Sequence, residues 1–348
     1  MRIAQIMLAK GFGGAERSFV DLCAALCARG HQVLAICERR AEARPFLEAT
    51  DAVAIRTLTV RGPWDLIARR AIKRTLKRFG AEIVQLHLAR AAGLAGPAAA
   101  ALNIPTLAKT HNYVDLKYYL AVGHLVPTTS KQRAFLVSAG IPARRISLIP
   151  NFSAIAPVGP VQRDPRDTTL QVAAVGRLVY KKGFDVLLRA VANARQRGIA
   201  LRCVIAGAGP ERDTLSRLCA ALELNDVVSF LGWQEDVAQC LAVADVFVLP
   251  SRDEPFGIVC LEAMALGVPI IATLTDGPTE ILDRDTALLV ERDNPDSLAT
   301  AFAEVATNRA GAAVRAATAH ERFNRYYSEE AVVSQYLALY ADLGAPSD

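Results

Sequence analysis

The sequence predicts an α/β protein built from two doubly wound, Rossmann-like domains. Its 348 residues suggest about two domains, at roughly 150 residues each. Short apolar runs alternate with amphipathic segments in both halves, a pattern typical of parallel strands joined by helical crossovers. The alternation stops in residues 153–168, which contain three prolines and show no periodicity, and then restarts. We therefore expect domains at 1–152 and 169–327, with 153–168 as the linker.

The first half alternates six apolar runs with four amphipathic segments. Its predicted strands are 2–8, 31–37, 82–88, 105–111, 123–129 and 145–151, and its predicted helices are 13–30, 66–79, 91–102 and 130–139. Gly30 ends the first helix pattern.

The second half repeats the alternation. Its predicted strands are 170–176, 201–207, 227–232, 245–250 and 268–273, and its predicted helices are 182–197, 211–222, 235–242, 257–266, 295–307, 311–325 and 328–343. Ligands of doubly wound sheets bind at the carboxyl ends of the strands. Two such halves would turn those edges toward a shared central cleft.

Charge is divided unevenly along the chain. Residues 1–152 contain 22 lysines and arginines against 9 aspartates and glutamates, a net charge of +13, whereas 153–348 contain 18 against 26, a net charge of −8. A basic half indicates an anionic partner for that half.

Cysteine usage and hydropathy point to a cytoplasmic location. The seven cysteines are scattered, and no CxxC pair occurs. This pattern favours a reducing compartment and predicts no metal site. The start, MRIAQIMLAKGFGG, lacks the pattern of a signal peptide, and the longest apolar segment, 91–104, is too short to span a bilayer.

A glycine loop, KGFGGAER at 10–17, joins the first strand to the first helix. Gly13 and Gly14 would let backbone amides approach an anionic group at the helix N-terminus. The loop also resembles a dinucleotide fingerprint, with Glu38 where a ribose-binding acid would stand, but Glu16 occupies the place of the third glycine. A tight turn with no ligand remains the alternative.

The second half repeats this layout in VGRLVYKKGFDVLL at 175–188. Arg177 and Lys182 flank a loop that opens a helix, and two cations there suit a diphosphate. Lys181 is expected to face solvent. The alternative is that both cations are solvated surface groups.

Two glutamates with seven residues between them, Glu254 and Glu262, follow the predicted strand 245–250. The backbone amides of Phe256, Gly257 and Ile258 open the next helix and lack intrahelical acceptors. One carboxylate could accept a sugar hydroxyl and the other a ribose diol. A core salt bridge is the alternative for Glu262, because a buried carboxylate needs partners.

These motifs, taken in order, resemble retaining glycosyltransferases of family 4, which have the GT-B fold. The matching segments span nearly the whole chain: GGAER, VGRL with KKG, GAGPERDTL (207–215), FLG (230–232), ADVFVLPS (244–251), the Glu254–Glu262 pair and EAMALGVPIIAT. The resemblance implies a donor held mostly by the C-terminal domain, a final helix (328–348) that packs back on the N-terminal domain, and no metal or other cofactor.

The resemblance also implies a role for each residue of the motifs. Arg177 and Lys182 would bind the diphosphate, and Glu262 would bind the ribose. Glu254 would bind the donor sugar, together with the amides of Phe256, Gly257 and Ile258. Gly13 and Gly14 would approach the phosphate or the sugar.

His111 ends the predicted strand 105–111, where the family often has a histidine that touches the donor sugar. A structural histidine is the alternative, and His87 is expected to be a core histidine. Asp276, in TDGPTEI, replaces a glycine that is common in the family, which puts the choice of donor sugar in question. The DRD sequence at 283–285 is interpreted as a solvated turn.

The predicted helix 66–79 has a stripe of cations at 69, 70, 73, 74, 77 and 78. Ile67, Ile72, Leu76 and Phe79 are expected on its other face. The stripe could be an ordinary solvated face, or it could lie against anionic lipid.

The sequence therefore predicts a metal-independent, retaining glycosyltransferase. The expected donor is a nucleotide-diphospho-sugar, with UDP favoured, and the expected acceptor is a glycan or lipid-linked intermediate of the bacterial envelope (lipopolysaccharide or exopolysaccharide). We expect no nucleic-acid partner and a cytoplasmic location, peripheral on the inner face of the plasma membrane. The alternatives are an NAD(P)-dependent oxidoreductase and a non-catalytic nucleotide-sugar-binding subunit.

Overall fold

The computed structural model describes residues 1–62, 64–155 and 168–345. The chain forms two compact units: unit 1 comprises Met1–Phe152 and the C-terminal segment from Glu329, and unit 2 comprises Ser153–Ser328. Most of the predicted linker, 156–167, lies outside the described residues.

Unit 1 contains a six-stranded parallel sheet in the order β3-β2-β1-β4-β5-β6. Its strands are β1 (Arg2–Met7), β2 (Gln32–Glu38), β3 (Val53–Leu58), β4 (Ile83–His87), β5 (Thr106–Lys109) and β6 (His124–Val126). Its helices before the linker are α1 (Gly14–Ala28), α2 (Arg44–Glu48), α3 (Leu66–Phe79), α4 (Leu88–Ala100) and α5 (Ser130–Ser138). The central strands β4 and, from Ile3 onward, β1 are buried because helices cover both faces of the sheet.

Unit 2 repeats this topology, in the order β12-β11-β10-β7-β8-β9. Its strands are β7 (Leu170–Val175), β8 (Leu201–Ala206), β9 (Val228–Gly232), β10 (Val246–Leu249), β11 (Ile270–Thr273) and β12 (Leu288–Val290). Its helices are α6 (Phe184–Gln196), α7 (Arg212–Ala221), α8 (Val237–Ala242), α9 (Ile258–Ala265), α10 (Asp276–Ile281), α11 (Pro295–Thr307) and α12 (Arg309–Tyr326). Both units therefore have the strand order of a Rossmann fold.

The last helix, α13 (Glu329–Gly344), belongs to unit 1. It buries Val332, Val333, Tyr336 and Tyr340 in the core that lies between α1 and the sheet. At its start, Arg29, the C-cap of α1, donates to Glu329 (2.7 Å) and Glu330 (2.8 Å). Within the described residues, no helix is long and apolar enough to cross a membrane.

Three sequence predictions differ from the structure. The predicted strand 145–151 is wrong: Ile146 makes a single bridge to Leu125, and Pro150 has no N–H for a ladder. Strand β3 was not predicted, because it is an edge strand with alternating exposure that includes Arg56. Ile67 was expected in the core but is 68% exposed, since the buried stripe of α3 runs through Ala68, Ile72 and Leu76.

Polar side chains lie on the sheet face that α1 and α13 cover. Lys109 is fully buried, donates to Ser18 Oγ (3.1 Å) and lies 5.4 Å from the ring centroid of Tyr336. Burial lowers the pKa of the Lys109 amine to about 7, against an opposing effect of Asp21. The folded protein therefore disfavours the charged form of this lysine.

We expect Lys109→Met to remove a pH dependence of stability. The free energy of unfolding of the wild type, minus that of Lys109→Met, should fall as pH drops from 10.5 toward about 7, because the unfolded lysine binds a proton that the folded lysine does not. Taking this difference removes the contribution of the buried cysteines, whose raised pKa values act with the opposite sign. The slope should approach about 1.4 kcal/mol per pH unit. Urea unfolding across this pH range measures the effect, with Lys181→Met, at a position 43% exposed, as control. Identical pH profiles for Lys109→Met and the wild type would contradict the burial argument.

Candidate functional site

Four loops meet at the carboxyl edge of the unit 2 sheet. They follow β7, β8, β10 and β11, and backbone hydrogen bonds join them pairwise. These bonds are Leu178 N–H to Ala208 O (2.9 Å), Arg252 N–H to Lys181 O (2.8 Å) and Gly277 N–H to Glu254 O (2.8 Å). The loops therefore form one connected rim, which contains the predicted site residues of this unit other than Ile258 and Glu262, and these two lie in helix α9.

Lys182 and Glu254 are in direct contact in this rim. The Lys182 ammonium donates to Glu254 Oε2, and the two side chains are only 18% and 9% exposed. Ser251 Oγ also donates to Glu254 Oε2, at 3.4 Å. The pairing explains how both charges tolerate burial. The ammonium keeps further hydrogens for an anion, and the carboxylate keeps a second oxygen for a hydroxyl group.

Arg252 holds the loop of Lys182 against the loop of Glu254. Its guanidinium donates to both carboxylate oxygens of Asp185 (2.7 Å each) and to Asp293 (2.5 Å), and it lies 4.1 Å from the ring centroid of Tyr180. The hydrogen bonds with Asp185 raise the pKa of Arg252, so its charge is permanent. Arg252 was not among the residues predicted from the sequence, although an arginine directly before Asp253-Glu254 on a strand-end loop is a usable signal.

The segment between Glu254 and α9 presents free backbone amides. Gly257 caps α9 in the left-handed region (φ 88°), and no side chain caps the helix. Within the described residues, the N–H groups of Phe256, Gly257 and Ile258 donate to no acceptor. Free amides at the start of a helix attract anions and lone pairs.

The other predicted residues of unit 2 occupy different settings. Arg177 is exposed and forms no ion pair with any residue that the structure describes, so its guanidinium is available to a ligand. Glu262 is half-buried in the second turn of α9, where its carbonyl accepts from Leu266 N–H. Lys181 pairs with Asp253 (3.7 Å) and is 43% exposed, as predicted for a solvent-facing lysine.

Gly183 lets two of the loops approach each other. It adopts φ 66°, and a Cβ built on it would lie 2.1 Å from the carbonyl oxygen of Pro250. Any larger residue would push the Lys182 loop away from the Glu254 loop. The glycine therefore serves the contact between the two loops.

In unit 1, His111 follows β5 in the left-handed region, with φ 59°. It is 8% exposed, and its Nε2 lies 3.2 Å from Nδ1 of His87, which is fully buried as expected for a core histidine. Burial, Lys109 and the neighbouring imidazole hold the pKa of His111 well below its usual value. The ring is therefore neutral at physiological pH and can exchange hydrogen bonds with a hydroxyl group.

Gly13 and Gly14 lie exposed at the start of α1. Gly13 is the N-cap and no side chain caps the helix, so amides of its first turn lack intrahelical acceptors, with the acidic Glu16 in the same turn.

The DRD segment forms a turn between α10 and β12. Asp283 accepts from Arg322 (2.5 Å), from Thr286 Oγ1 (3.0 Å) and from the N–H of Asp285 (3.1 Å). These hydrogen bonds give Asp283 a structural role within the turn. Among the described residues, no group of three or more His, Cys, Asp or Glu side chains could hold a metal ion.

Comparisons with known proteins agree across the whole chain. The profile described as "Glycosyltransferase Family 4" matches residues 12–153, and "Glycosyl transferases group 1" matches residues 160–324. The chain is 31% identical to the lipopolysaccharide core biosynthesis glycosyltransferase LpsD of Rhizobium meliloti over 332 residues, which is 94% of this chain and 95% of LpsD. It is also 31% identical to LpsE of the same organism, over 94% of this chain and 96% of LpsE.

Solved structures share the fold at lower identity. Anabaena HepE in complex with UDP-glucose aligns with a TM-score of 0.83 at 18% identity, over 98% of this chain and 100% of HepE.

The close approach at Gly183 predicts a specific stability difference. Gly183→Ala and Gly198→Ala both introduce a Cβ at positive φ (66° and 78°), but Gly198 has nothing within 4 Å. We expect Gly198→Ala to cost about 1 kcal/mol, and Gly183→Ala to cost about 1–3 kcal/mol more, because the Pro250 loop must move. Urea unfolding of both variants measures the difference. Equal losses would show that the two loops are not held in contact there.

Proposed function

This chain belongs to glycosyltransferase family 4, and from that premise we propose that it transfers a sugar from a UDP-sugar to an acceptor of the bacterial envelope with retention of anomeric configuration. It is a glycosyltransferase with the GT-B fold and is related to enzymes of lipopolysaccharide core biosynthesis. The observation that carries the proposal is the contact between Lys182 and Glu254 beside the free amides of Phe256, Gly257 and Ile258.

The nucleoside diphosphate is the leaving group in this proposal. Lys182 and Arg177 take its oxygens, and the α9 amides add partial positive charge, so the charge that develops as the glycosidic bond breaks is stabilised electrostatically. Glu254, once the diphosphate competes for Lys182, accepts hydrogen bonds from hydroxyls of the donor sugar. Glu262 takes the ribose diol.

In this proposal unit 1 contributes one group that binds a hydroxyl and one that binds an anion. The neutral ring of His111 takes a hydroxyl of the donor sugar, and the amides at Gly13 and Gly14 take a phosphate or sugar oxygen. In the described residues, no side chain at these positions is an evident nucleophile for double displacement. We therefore propose attack on the face from which the diphosphate departs, without a metal or another cofactor.

The comparisons support the partners named here. HepE is solved with UDP and with UDP-glucose, which favours uridine as the base. LpsD and LpsE are named for lipopolysaccharide core biosynthesis, which favours an envelope acceptor.

We further propose that unit 1 touches an anionic membrane through α3 on the cytoplasmic side. Arg69, Arg70, Arg74, Lys77 and Arg78 are exposed along this helix. At its start, Trp64, Leu66 and Ile67 are 85%, 61% and 68% exposed. An apolar tip beside a row of cations suits the boundary between headgroups and acyl chains, where each cation adds about 1 kcal/mol.

A pair of adjacent lysines tests the site. We expect Lys182→Ala to lower sugar transfer at least about tenfold, because a charge-assisted hydrogen bond to the diphosphate is lost, and to abolish the thermal shift that a UDP-sugar produces. Glu254→Ala should lower transfer while leaving the affinity for free UDP nearly unchanged. Lys181→Ala is the control, since its side chain pairs with exposed Asp253 alone among the residues that the structure describes. Normal transfer by both Lys182→Ala and Glu254→Ala would remove this assignment.

The wild type tests the base of the donor. The UDP-sugar should give it a larger thermal shift than GDP- or ADP-sugars.

The two tryptophans make the membrane contact measurable. In a Trp233→Phe background, Trp64 is the remaining tryptophan. Its emission should shift to the blue with vesicles that contain phosphatidylglycerol, and much less with pure phosphatidylcholine vesicles. Added salt should weaken the effect. Unchanged emission with anionic vesicles would rule out this face of α3 as the membrane contact.

A further inference from the structure

A line of side-chain hydrogen bonds runs through the interior of unit 1 and ends at His111. It begins under α13, where the Tyr340 hydroxyl donates to Gln85 Oε1 on β4. The same hydroxyl accepts from Gln5 Nε2 on β1, at 3.1 Å. Gln85, Tyr340 and Gln5 are all fully buried, so the line starts in the core of the unit.

His87 carries the line from Gln5 to His111. Its Nε2 lies 2.9 Å from Gln5 Oε1, and its Nδ1 lies 3.2 Å from His111 Nε2. His87 is fully buried, and the ring of Phe19 stands edge-on to it at 5.2 Å. Both ring nitrogens are therefore engaged, and the packing leaves the imidazole little freedom to turn.

All these hydrogen bonds run in the same direction: each residue on the line, from His111 to Tyr340, donates to the next one toward Gln85. Since Gln5 donates its amide hydrogen to Tyr340, its oxygen faces His87, and His87 must carry its proton on Nε2. The Nδ1 atom of His87 is then an acceptor, so His111 must carry its own proton on Nε2.

Both rings are neutral, which is the condition for this series. Burial and the charge of Lys109 hold the pKa of His87 well below its usual value, and burial does the same for His111. A neutral imidazole has a single N–H, so the proton on Nε2 of His111 leaves Nδ1 with a lone pair.

We propose that Tyr340, Gln5 and His87 are positioning residues that fix the tautomer of His111 and present its Nδ1 as a hydrogen-bond acceptor. Within the described residues, Nδ1 of His111 has no hydrogen-bond partner, and it is not among the enclosed polar atoms. An acceptor atom there selects a donor group on the ligand. The identity of that donor group rests on the proposed function, which makes it a hydroxyl of the sugar.

The left-handed backbone at His111 supports this role. A non-glycine residue at φ 59° is uncommon. The hydrogen bond from His111 Nε2 to His87 helps to hold the ring in this conformation, so backbone and side chain are fixed together.

Nitrogen-15 NMR of histidine-labelled protein tests the proposal without any substrate. The chain has five histidines, and His111→Gln assigns the signals of His111. At neutral pH the wild-type His111 should show a protonated Nε2 and an unprotonated Nδ1. A proton on Nδ1, or a charged ring, would overturn the proposal even if every variant failed to fold.

Two tyrosines one turn apart on α13 provide a matched pair of variants. Tyr340→Phe removes the hydroxyl that orients Gln5, so His111 should populate both tautomers. Tyr336→Phe is the control, because Tyr336 is equally buried and its hydroxyl has no hydrogen-bond partner within the described residues. It lies near Gln85 without reaching hydrogen-bond geometry.

Sugar transfer should separate the two variants. We expect kcat of Tyr340→Phe to fall about fivefold, the size of one net hydrogen bond, while the affinity for free UDP and the kcat of Tyr336→Phe stay at wild-type values. Equal tautomer populations and equal kcat in the two variants would overturn the coupling. If the wild type transferred no sugar and bound no UDP, the proposed function would fail, whereas the NMR result on His111 would stand by itself.

Discussion

Both sheets of this protein are wholly parallel, and that constraint shapes the rest of the molecule. A parallel sheet must be covered by helices on both faces, so its strands bury apolar side chains in both directions. Function is then confined to the edges of the sheet, where strands give way to loops. In unit 2 the loops after β7, β8, β10 and β11 gather at one such edge, and in unit 1 His111 stands where β5 ends.

The two units solve the problem of holding charge at this edge in different ways. Unit 2 pairs its charges: Lys182 with Glu254, and Arg252 with Asp185 and Asp293. Unit 1 buries Lys109 with a hydroxyl and an aromatic ring nearby, and keeps two histidines neutral. A paired carboxylate and ammonium can exchange partners with an incoming ligand, whereas a neutral imidazole offers a ligand either its N–H or its lone pair, according to its tautomer.

The fold and the residues of the site could be predicted from the sequence, but few of the contacts between those residues could. Alternation of strands and helices was enough for two doubly wound units, because burial on both faces leaves long apolar runs. Strand β3 was not predicted, because its exposed side chains interrupt the apolar run. Ile67 was predicted on the buried face of α3 but lies on the exposed one. Glu254 could be located from the strand before it. Its contact with Lys182 could not, because 72 residues separate the two and local pattern does not encode pairing. The link from Gln5 to His87 was missed for the same reason. Arg252 differs, because its place directly before Asp253-Glu254 on a strand-end loop was a usable local signal.

Helix α13 makes unit 1 a discontinuous unit, and this has a consequence during synthesis. The core between α1 and the sheet needs Tyr336 and Tyr340, which are translated after the whole of unit 2. Unit 2 is complete at Ser328, before α13 exists. On the ribosome the second unit can therefore fold first, while the first unit keeps an uncovered apolar sheet face, exposed to aggregation and chaperones, until α13 emerges.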